Sequence, residues 1–239
     1  MDNLEIIVPY HDLTKIDFEQ IKENVLKITD NVRLINNNFN RSEWSQEILD
    51  RFGHLKGCKL DEFNAQSYFV DELNGGDKNS EYVYNCQYRR FLDVPDDLKL
   101  EKDAIYCTKF PHKHSALINH IYYRMIYFKS KEDVIKLIDI LSNIFDIPQT
   151  KIFEILKEGN YYPFEMYIMH KDLQKEMVHK IYQFIYMYCT SITDIYLMLN
   201  RCVGYAIELF VSMFINYKEL QGYKIKTLPF ISTCSENYY

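Results

Sequence analysis

The distribution of apolar positions divides the chain into two halves of different character. Residues 4–8 form a short apolar run that ends at Pro9, and residues 31–35 form a second run that ends in asparagines. Between these runs, Asp17 precedes residues with the spacing of an amphipathic helix, and Gln20 follows three residues later as in a capping box. The pattern therefore predicts a strand, a helix and a second strand.

The same alternation continues along the first half. Residues 61–73 have helical spacing, whereas residues 81–86 and 103–107 are short apolar runs that are typical of strands. Strands that alternate with helices predict an α/β fold, in which a sheet is flanked by helices on both faces. Ligands of such sheets bind beyond the carboxyl ends of the strands.

The second half is predicted to be rich in helices. Ser130 and Asp133 begin an amphipathic helix, and residues 203–214 carry apolar side chains at helical spacing with little interruption. The other elements predicted here are helices at 149–157, 171–198 and 201–217 and strands at 161–169 and 223–228. Because no linker or internal repeat separates the halves, we expect one domain over residues 1–231 and a tail at 232–239.

Charge and cysteine content narrow the class of protein. The 239 residues carry a formal net charge of −6, which disfavours nucleic acid as a partner. No apolar stretch approaches the roughly 20 residues that a membrane span needs. The six cysteines contain no Cys-x-x-Cys pair, so neither a zinc site nor a disulfide framework is indicated. We expect a cytoplasmic protein with reduced thiols.

Two adjacent arginines, Arg89 and Arg90, are predicted to stand at the end of the strand that begins near Glu81. Guanidinium groups stay charged, and their forked donors match phosphate oxygens in pairs. Such a pair at a strand's carboxyl end can bind a diphosphate. The alternative is a surface ion pair with a nearby aspartate such as Asp93, which would contribute little to stability.

Three sequence blocks, in this order, carry a resemblance to a known family. They are Gln-Tyr-Arg-Arg-Phe at 87–91, Tyr-Pro-Phe-Glu-Met-Tyr-Ile-Met at 162–169, and Arg-Cys-Val-Gly-Tyr-Ala-Ile-Glu-Leu at 201–209 followed by Leu228 and Pro229. The chain thereby resembles a family of bacterial and viral glycosyltransferases that have a histidine-tyrosine-arginine-arginine motif and often occur in capsular polysaccharide clusters. Gln87 stands where the family usually has histidine, and Glu165 where it usually has asparagine.

The resemblance implies a GT-A-like nucleotide-binding sheet and a nucleotide-diphosphate sugar as donor. Arg89 and Arg90 would then contact the diphosphate. The other residues expected at the donor are Pro9, Tyr10 and His11 after the first strand, Asn64 in the helix at 61–73, and His120. His11 is also explained as a surface histidine, and a metal bound by His120 with its neighbours His112 and His114 is the less favoured interpretation.

Two glutamates are candidates for the general base that removes a proton from the acceptor hydroxyl. Glu165 ranks first, because an acid within an aromatic strand is costly unless it is satisfied or functional. Glu208 is the second, although it could simply pair with Arg201 or be solvated. Tyr161 and Tyr162 are candidates for stacking on the acceptor sugar.

The chain contains no Asp-x-Asp sequence, which most GT-A enzymes use to hold a divalent metal. We therefore predict no metal ligands, and expect the arginines to neutralise part of the leaving-group charge; Mn²⁺ or Mg²⁺ is compatible with the sequence but not required. The leading hypothesis is a glycosyltransferase of hexosyl or deoxyhexosyl type that transfers a sugar from a nucleotide-diphosphate sugar to a glycan or glycoconjugate. The alternatives are a noncatalytic carbohydrate-binding or assembly module on the same fold, and a helical protein-interaction domain.

Overall fold

The computed structural model describes residues 3–10, 18–21, 23, 28–29, 31–36, 79–86, 90–109, 131–191 and 202–232. The predicted helix at 61–73 lies outside these residues. So do four of the predicted donor-binding residues, His11, Asn64, Arg89 and His120.

The described elements alternate between strands and helices in the first half and are mainly helical in the second. The strands are β1 (Leu4–Tyr10), β2 (Val32–Asn36), β3 (Tyr82–Asn85), β4 (Arg90–Leu92), β5 (Ala104–Cys107), β6 (Tyr167–His170), β7 (Lys224–Thr227) and β8 (Phe230–Ser232). The helices are α1 (Phe18–Ile21), α2 (Lys131–Phe145), α3 (Gln149–Glu158), α4 (Lys171–Ser191) and α5 (Cys202–Leu220), with a short 3-10 turn at Pro163–Glu165.

Six strands form the main sheet in the order β2-β1-β3-β6-β5-β7, and β4 pairs with β8 in a separate two-stranded sheet. The pairs β1–β2, β1–β3 and β5–β7 are parallel, whereas β6 is antiparallel to both β3 and β5. Five of the six strands therefore run in one direction, and β6 alone is reversed. The predicted α/β fold with a sheet flanked by helices and a helix-rich second half is confirmed.

Alternate residues of the central strands face two separate cores. Ile7, Val83 and Cys107 face the first core, which the buried sides of α2, α3, α4 and α5 complete. On the opposite face, Tyr84 packs with Ile21 of α1 and with the apolar residues of β4. We call these the helical face and the β4 face of the sheet. Among the described helices, none is both long and apolar enough to cross a membrane.

The predicted strand at 161–169 is correct only in its last part. Tyr161 and Tyr162 precede the strand, Pro163–Glu165 is a 3-10 turn, and the strand β6 begins at Tyr167. Aromatic and β-branched residues continue through the whole segment, so their pattern alone does not reveal where the strand begins.

Candidate active site

The strands that run in one direction end at a common edge of the sheet, which we call the carboxyl edge. It is formed by the last residues of these strands, Tyr10, Asn36, Asn85, Cys107 and Thr227, and by the first residue of the reversed strand, Tyr167. Since ligands of open α/β sheets bind beyond the carboxyl ends of the strands, this edge is the candidate site.

Pro9 and Tyr10, predicted to contact the donor, are the last two residues of β1 at this edge. Strand β3 pairs with β1 only as far as Ile7, and the N–H of Ile6 donates to Asn31 on the β2 side. Because successive backbone nitrogens point to opposite sides of a strand, the nitrogen of Pro9 faces the side where β3 has ended. Because no hydrogen bond to β3 is needed at this position, the absence of an N–H in Pro9 does not disrupt the sheet. Strand β1 therefore continues past its predicted end.

Arg90 does not end β3, as the sequence predicted, but begins the separate strand β4. Strand β3 ends at Asn85, and Arg90 pairs with Ser232 of β8. The four residues between Asn85 and Arg90 allow at most about 18 Å between the two Cα atoms. The half-buried Arg90 therefore lies within about 18 Å of Asn85 at the carboxyl edge, although it belongs to another sheet.

The strand that carries Arg90 lies on the β4 face. The backbone N–H of Leu92 donates a 2.5 Å hydrogen bond to the hydroxyl of Tyr84, whose ring belongs to the core on that face. Burial is the main cause that raises the pKa of the Tyr84 hydroxyl well above its ordinary value. Tyr84 thus stays protonated and anchors β4 against the sheet.

On the helical face, two polar side chains of α5 hold the extended segment before the 3-10 turn. The Oδ1 of Asn216 accepts from the N–H of Asn160 at 2.9 Å, and its Nδ2 donates to the carbonyl of Asn160 at 2.8 Å. The Oγ of Ser212 likewise accepts from the N–H of Tyr162 and donates to its carbonyl, both at 3.1 Å. We call Ser212 and Asn216 the clasp, because they hydrogen-bond to both backbone groups of Tyr162 and of Asn160, respectively.

The glycine before this segment leaves room for the clasp. A Cβ on Gly159 would lie 2.8 Å from the Oδ1 of Asn216 and 2.4 Å from the carbonyl oxygen of Ile155, closer than such atoms can approach. Gly159 is therefore required by close packing between the end of α3 and α5.

We expect Asn216→Ala to lower the free energy of unfolding by about 2–4 kcal/mol, because it removes the side-chain hydrogen-bond partner of both backbone groups of the half-buried Asn160. Urea unfolding followed by circular dichroism measures the change. Asn143→Ala, which replaces an exposed asparagine of α2, is the matched control and should change stability by less than about 0.5 kcal/mol. Equal effects of the two substitutions would contradict the clasp.

Glu165, the first candidate for the base, lies in the 3-10 turn and not in a strand. It is half-buried, and its φ of 54° is one of two positive φ values found at non-glycine residues in the described part of the chain. The left-handed conformation is uncommon for a glutamate and is favoured by glycine and asparagine. The prediction that Glu165 lies within a strand is therefore wrong. Its positive φ is instead the feature that makes it a candidate functional residue.

The turn is fixed to the sheet beside Glu165. The Nδ2 of Asn85 donates a 2.9 Å hydrogen bond to the carbonyl oxygen of Glu165. Burial, more than any other cause, raises the pKa of the Tyr167 hydroxyl; a hydrogen bond from Gln174 opposes this, and the negative charge of Glu165 adds to it. The carboxylate of Glu165 thus lies within electrostatic range of the first residue of β6, at the carboxyl edge.

Glu208, the second candidate, lies on α5 one turn before Ser212 and therefore on the same side of the helix as the clasp. One helical turn from Asn216 to Ser212 advances about 6 Å, which matches the two extended residues from Asn160 to Tyr162. One further turn brings Glu208 alongside the 3-10 turn, and α5 is in contact with that turn. The helix that carries Glu208 is thus in contact with the turn that carries Glu165.

The predicted role of two tyrosines in stacking on an acceptor sugar is not supported by their burial. Tyr161 and Tyr162, proposed to stack on an acceptor sugar, are 7% and 3% exposed and belong to the core of the helical face, so that prediction is wrong. Burial also raises the pKa of the Cys86 and Cys107 thiols, which stay neutral and act as core residues.

Within the described ranges, no group of three or more histidine, cysteine, aspartate or glutamate side chains is placed to hold a metal ion. Asp93, the carboxylate nearest the end of β4, is exposed, and Asp96 and Asp97 lie in an exposed turn after it.

The sequence argument missed Asn85, Ser212 and Asn216. Asn85 interrupts the apolar run of β3, and the two clasp residues interrupt the apolar face of α5 at a spacing of four. A polar stripe at positions 208, 212 and 216 of an otherwise apolar helix was the available signal, since buried polar groups are kept where they have partners.

The order of the strands and the helices on the helical face define an open α/β fold. One solved structure with this fold is the apo structure of the WbbM bifunctional glycosyltransferase, which matches at a TM-score of 0.56 with 14% sequence identity. The match covers 99% of this chain and 46% of WbbM, so the chain spans about half the length of that protein. At this identity the likeness concerns the fold. No protein-family model and no curated protein sequence matches the chain.

Proposed function

We propose that the protein is a glycosyltransferase that transfers a sugar from a nucleotide-diphosphate sugar to a hydroxyl of a glycan or glycoconjugate. The observation that carries the proposal is the position of Glu165 in a turn that is bonded to Asn85 at the carboxyl edge and is in contact with α5, the helix of Glu208, in a chain that matches the fold of a glycosyltransferase over 99% of its length. A GT-A type of donor site, as the motif resemblance implies, is part of the proposal.

In the proposed reaction, Glu165 accepts the proton of the acceptor hydroxyl as that oxygen bonds to the anomeric carbon of the donor. The bond between this carbon and the diphosphate oxygen breaks, and the nucleoside diphosphate leaves with the electron pair. Arg89 and Arg90 stabilise the negative charge that develops on the diphosphate. Glu208 is the second candidate for the base, because it lies alongside the same turn.

The donor's nucleotide is proposed to lie beyond the end of β1, in contact with Pro9, Tyr10 and His11. Asn64 and His120 complete the proposed donor site. Arg90, whose strand lies on the β4 face, approaches the diphosphate from that side, while α5 and the turn bring the glutamates from the helical face. Two opposed groups of this kind suit a transfer in which the leaving group and the acceptor are on different sides of the sugar. A cytoplasmic location, where nucleotide sugars are available, stays a prediction.

Donor binding tests the proposal through the melting temperature. A panel of nucleotide-diphosphate sugars, each with Mn²⁺, with Mg²⁺ and with chelator, should contain a donor that raises the melting temperature by about 5–10 °C at a hundredfold excess over its Kd. Arg89→Ala/Arg90→Ala should abolish that shift. Arg89→Lys/Arg90→Lys should keep only part of it, because lysine retains the charge but not the forked donors.

A second double variant controls for the loss of two positive charges. Lys151→Ala/Lys157→Ala removes two from α3, which packs beside the carboxyl-terminal end of α5, away from the carboxyl edge. It should leave the donor-induced shift unchanged. If no donor shifts the melting temperature of the unsubstituted protein, the proposal fails and the noncatalytic module is favoured.

A further inference from the structure

The side chain of Asn85 is a buried amide with an unusual set of partners. It is 3% exposed at the end of β3, after three buried apolar residues. Its Nδ2 donates to the carbonyl of Glu165, while its Oδ1 has no hydrogen-bond partner among the described residues. A buried polar side chain that is only half satisfied is unfavourable compared with an apolar residue of the same size. Asn85 therefore does not contribute packing alone.

The hydrogen bond from Asn85 is made to Glu165, the residue of the turn that has a left-handed backbone conformation. Glu165 has a φ of 54°, a conformation that a glutamate keeps only where its surroundings impose it. The clasp residues Ser212 and Asn216 hold the segment before the turn, and Asn85 holds its last residue. The turn is thus fixed on one side by α5 and on the other by the sheet.

We propose that Asn85 is a positioning residue, which holds the Glu165 backbone in its left-handed conformation and thereby orients the Glu165 carboxylate for proton transfer at the carboxyl edge. This inference rests on the proposed function. Strained backbone that is held by several neighbours occurs preferentially at functional sites, where it preorganises a reacting group. Asn85 touches neither donor nor acceptor in this account and acts only through Glu165.

The conformational part of the proposal is tested without activity. Asparagine adopts positive φ more readily than glutamate, so Glu165→Asn should raise the melting temperature by about 2 °C when Asn85 is present. In the Asn85→Leu background the turn is no longer held, and the same substitution should give no gain. An equal gain in both backgrounds would overturn the proposal. Should Asn85→Leu not fold, Asn85→Ala removes the same donor with less steric demand.

The catalytic part is tested by steady-state kinetics. Asn85→Leu should lower kcat by about 10- to 100-fold, as expected for a small displacement of a reacting group, with the donor KM within about twofold. In a Glu165→Gln background, Asn85→Leu should have no further effect on kcat, since both act through one carboxylate. Additive losses of kcat in the double variant would overturn the proposal.

Gln174 supplies a matched control. It is also a buried amide with an unpaired oxygen, 1% exposed, but its Nε2 donates to the hydroxyl of Tyr167 and not to the turn. Gln174→Leu should leave kcat unchanged, and a loss equal to that of Asn85→Leu would overturn the specific role of Asn85. If the unsubstituted protein turns over no donor, the proposed function fails, whereas the melting comparison still decides whether Asn85 holds the turn.

Discussion

Glu165→Gln is expected to lower the rate of sugar transfer by about 10²- to 10⁴-fold, the usual contribution of a positioned general base. Glutamine has the same shape as glutamate and leaves the backbone of the turn unchanged, but it cannot accept the proton of the acceptor hydroxyl. Donor binding should stay within about twofold, because the glutamate acts on the acceptor. Initial rates of nucleoside diphosphate release, together with the donor-induced melting shift, measure the two effects separately.

The two glutamates can be distinguished by parallel substitutions. Glu208→Gln should reduce the rate less than Glu165→Gln, because Glu208 lies on a regular helix and Glu165 on the strained turn that Asn85 holds. Glu158→Gln, at the exposed end of α3, is the matched control and should have no effect on the rate. A loss with Glu208→Gln and none with Glu165→Gln would assign the base to Glu208 and contradict our ranking.

Phe210→Ala is expected to lower the free energy of unfolding by about 3–5 kcal/mol, the usual range for deleting a fully buried phenylalanine ring. Phe210 of α5 is 0% exposed. Its ring stacks on Phe145 of α2 at a centroid distance of 5.2 Å and contacts Phe184 of α4 at 4.9 Å. One side chain thus joins three of the four helices of the helical face, and its removal leaves a cavity between them.

Urea unfolding measures this change, and Phe153 provides the control. Phe153 lies on α3 and is 50% exposed, so Phe153→Ala should change stability by less than about 1 kcal/mol. A loss below about 1 kcal/mol for Phe210→Ala would mean that α5 is not anchored through this ring. Because α5 also carries the clasp and Glu208, such a result would weaken the account of the site.

Periodicity predicted the elements whose structure is decided locally. The apolar spacing of residues 203–214 identified α5, and the short apolar runs of the first half identified β1, β2, β3 and β5 within one or two residues of their ends. In these segments the buried positions follow the period of the element itself, so the pattern carries the information.

The segment at 161–169 was misinterpreted because its structure depends on a distant helix. Pro163 cannot donate to a strand ladder, and the backbone groups of Tyr162 are satisfied by Ser212, which is fifty positions away. A run of aromatic residues is compatible with both an extended segment and a strand. Only the partner on α5 decides between them, and the local pattern does not contain it.

Strands β4 and β8 were missed for a related reason. Each has three residues, and Arg90 pairs with Ser232 across most of the chain. Such short strands have no measurable period, and their pairing is set by tertiary packing. For this reason, the sequence pattern wrongly predicted that β3 continues through the two arginines.

The site was only partly predictable. Glu165 and Glu208 were identified as residue types, whereas the contact between α5 and the turn that carries Glu165 is a tertiary feature that the sequence pattern does not contain. Lys218 is another polar residue whose role depends on contacts that the local sequence pattern does not show. It is 4% exposed, pairs with Glu176 at 2.6 Å, and has its ammonium over the ring of Tyr223 at 5.4 Å.

The most direct test of the central claim is the release of nucleoside diphosphate from a panel of nucleotide-diphosphate sugars, measured with and without a mixture of glycan acceptors. We expect the unsubstituted protein to consume one donor and acceptor to increase the rate, and we expect Arg89→Ala/Arg90→Ala and Glu165→Gln each to abolish most of the release. A folded protein that consumes no donor under any of these conditions would contradict a glycosyltransferase function and favour a noncatalytic module on the same fold.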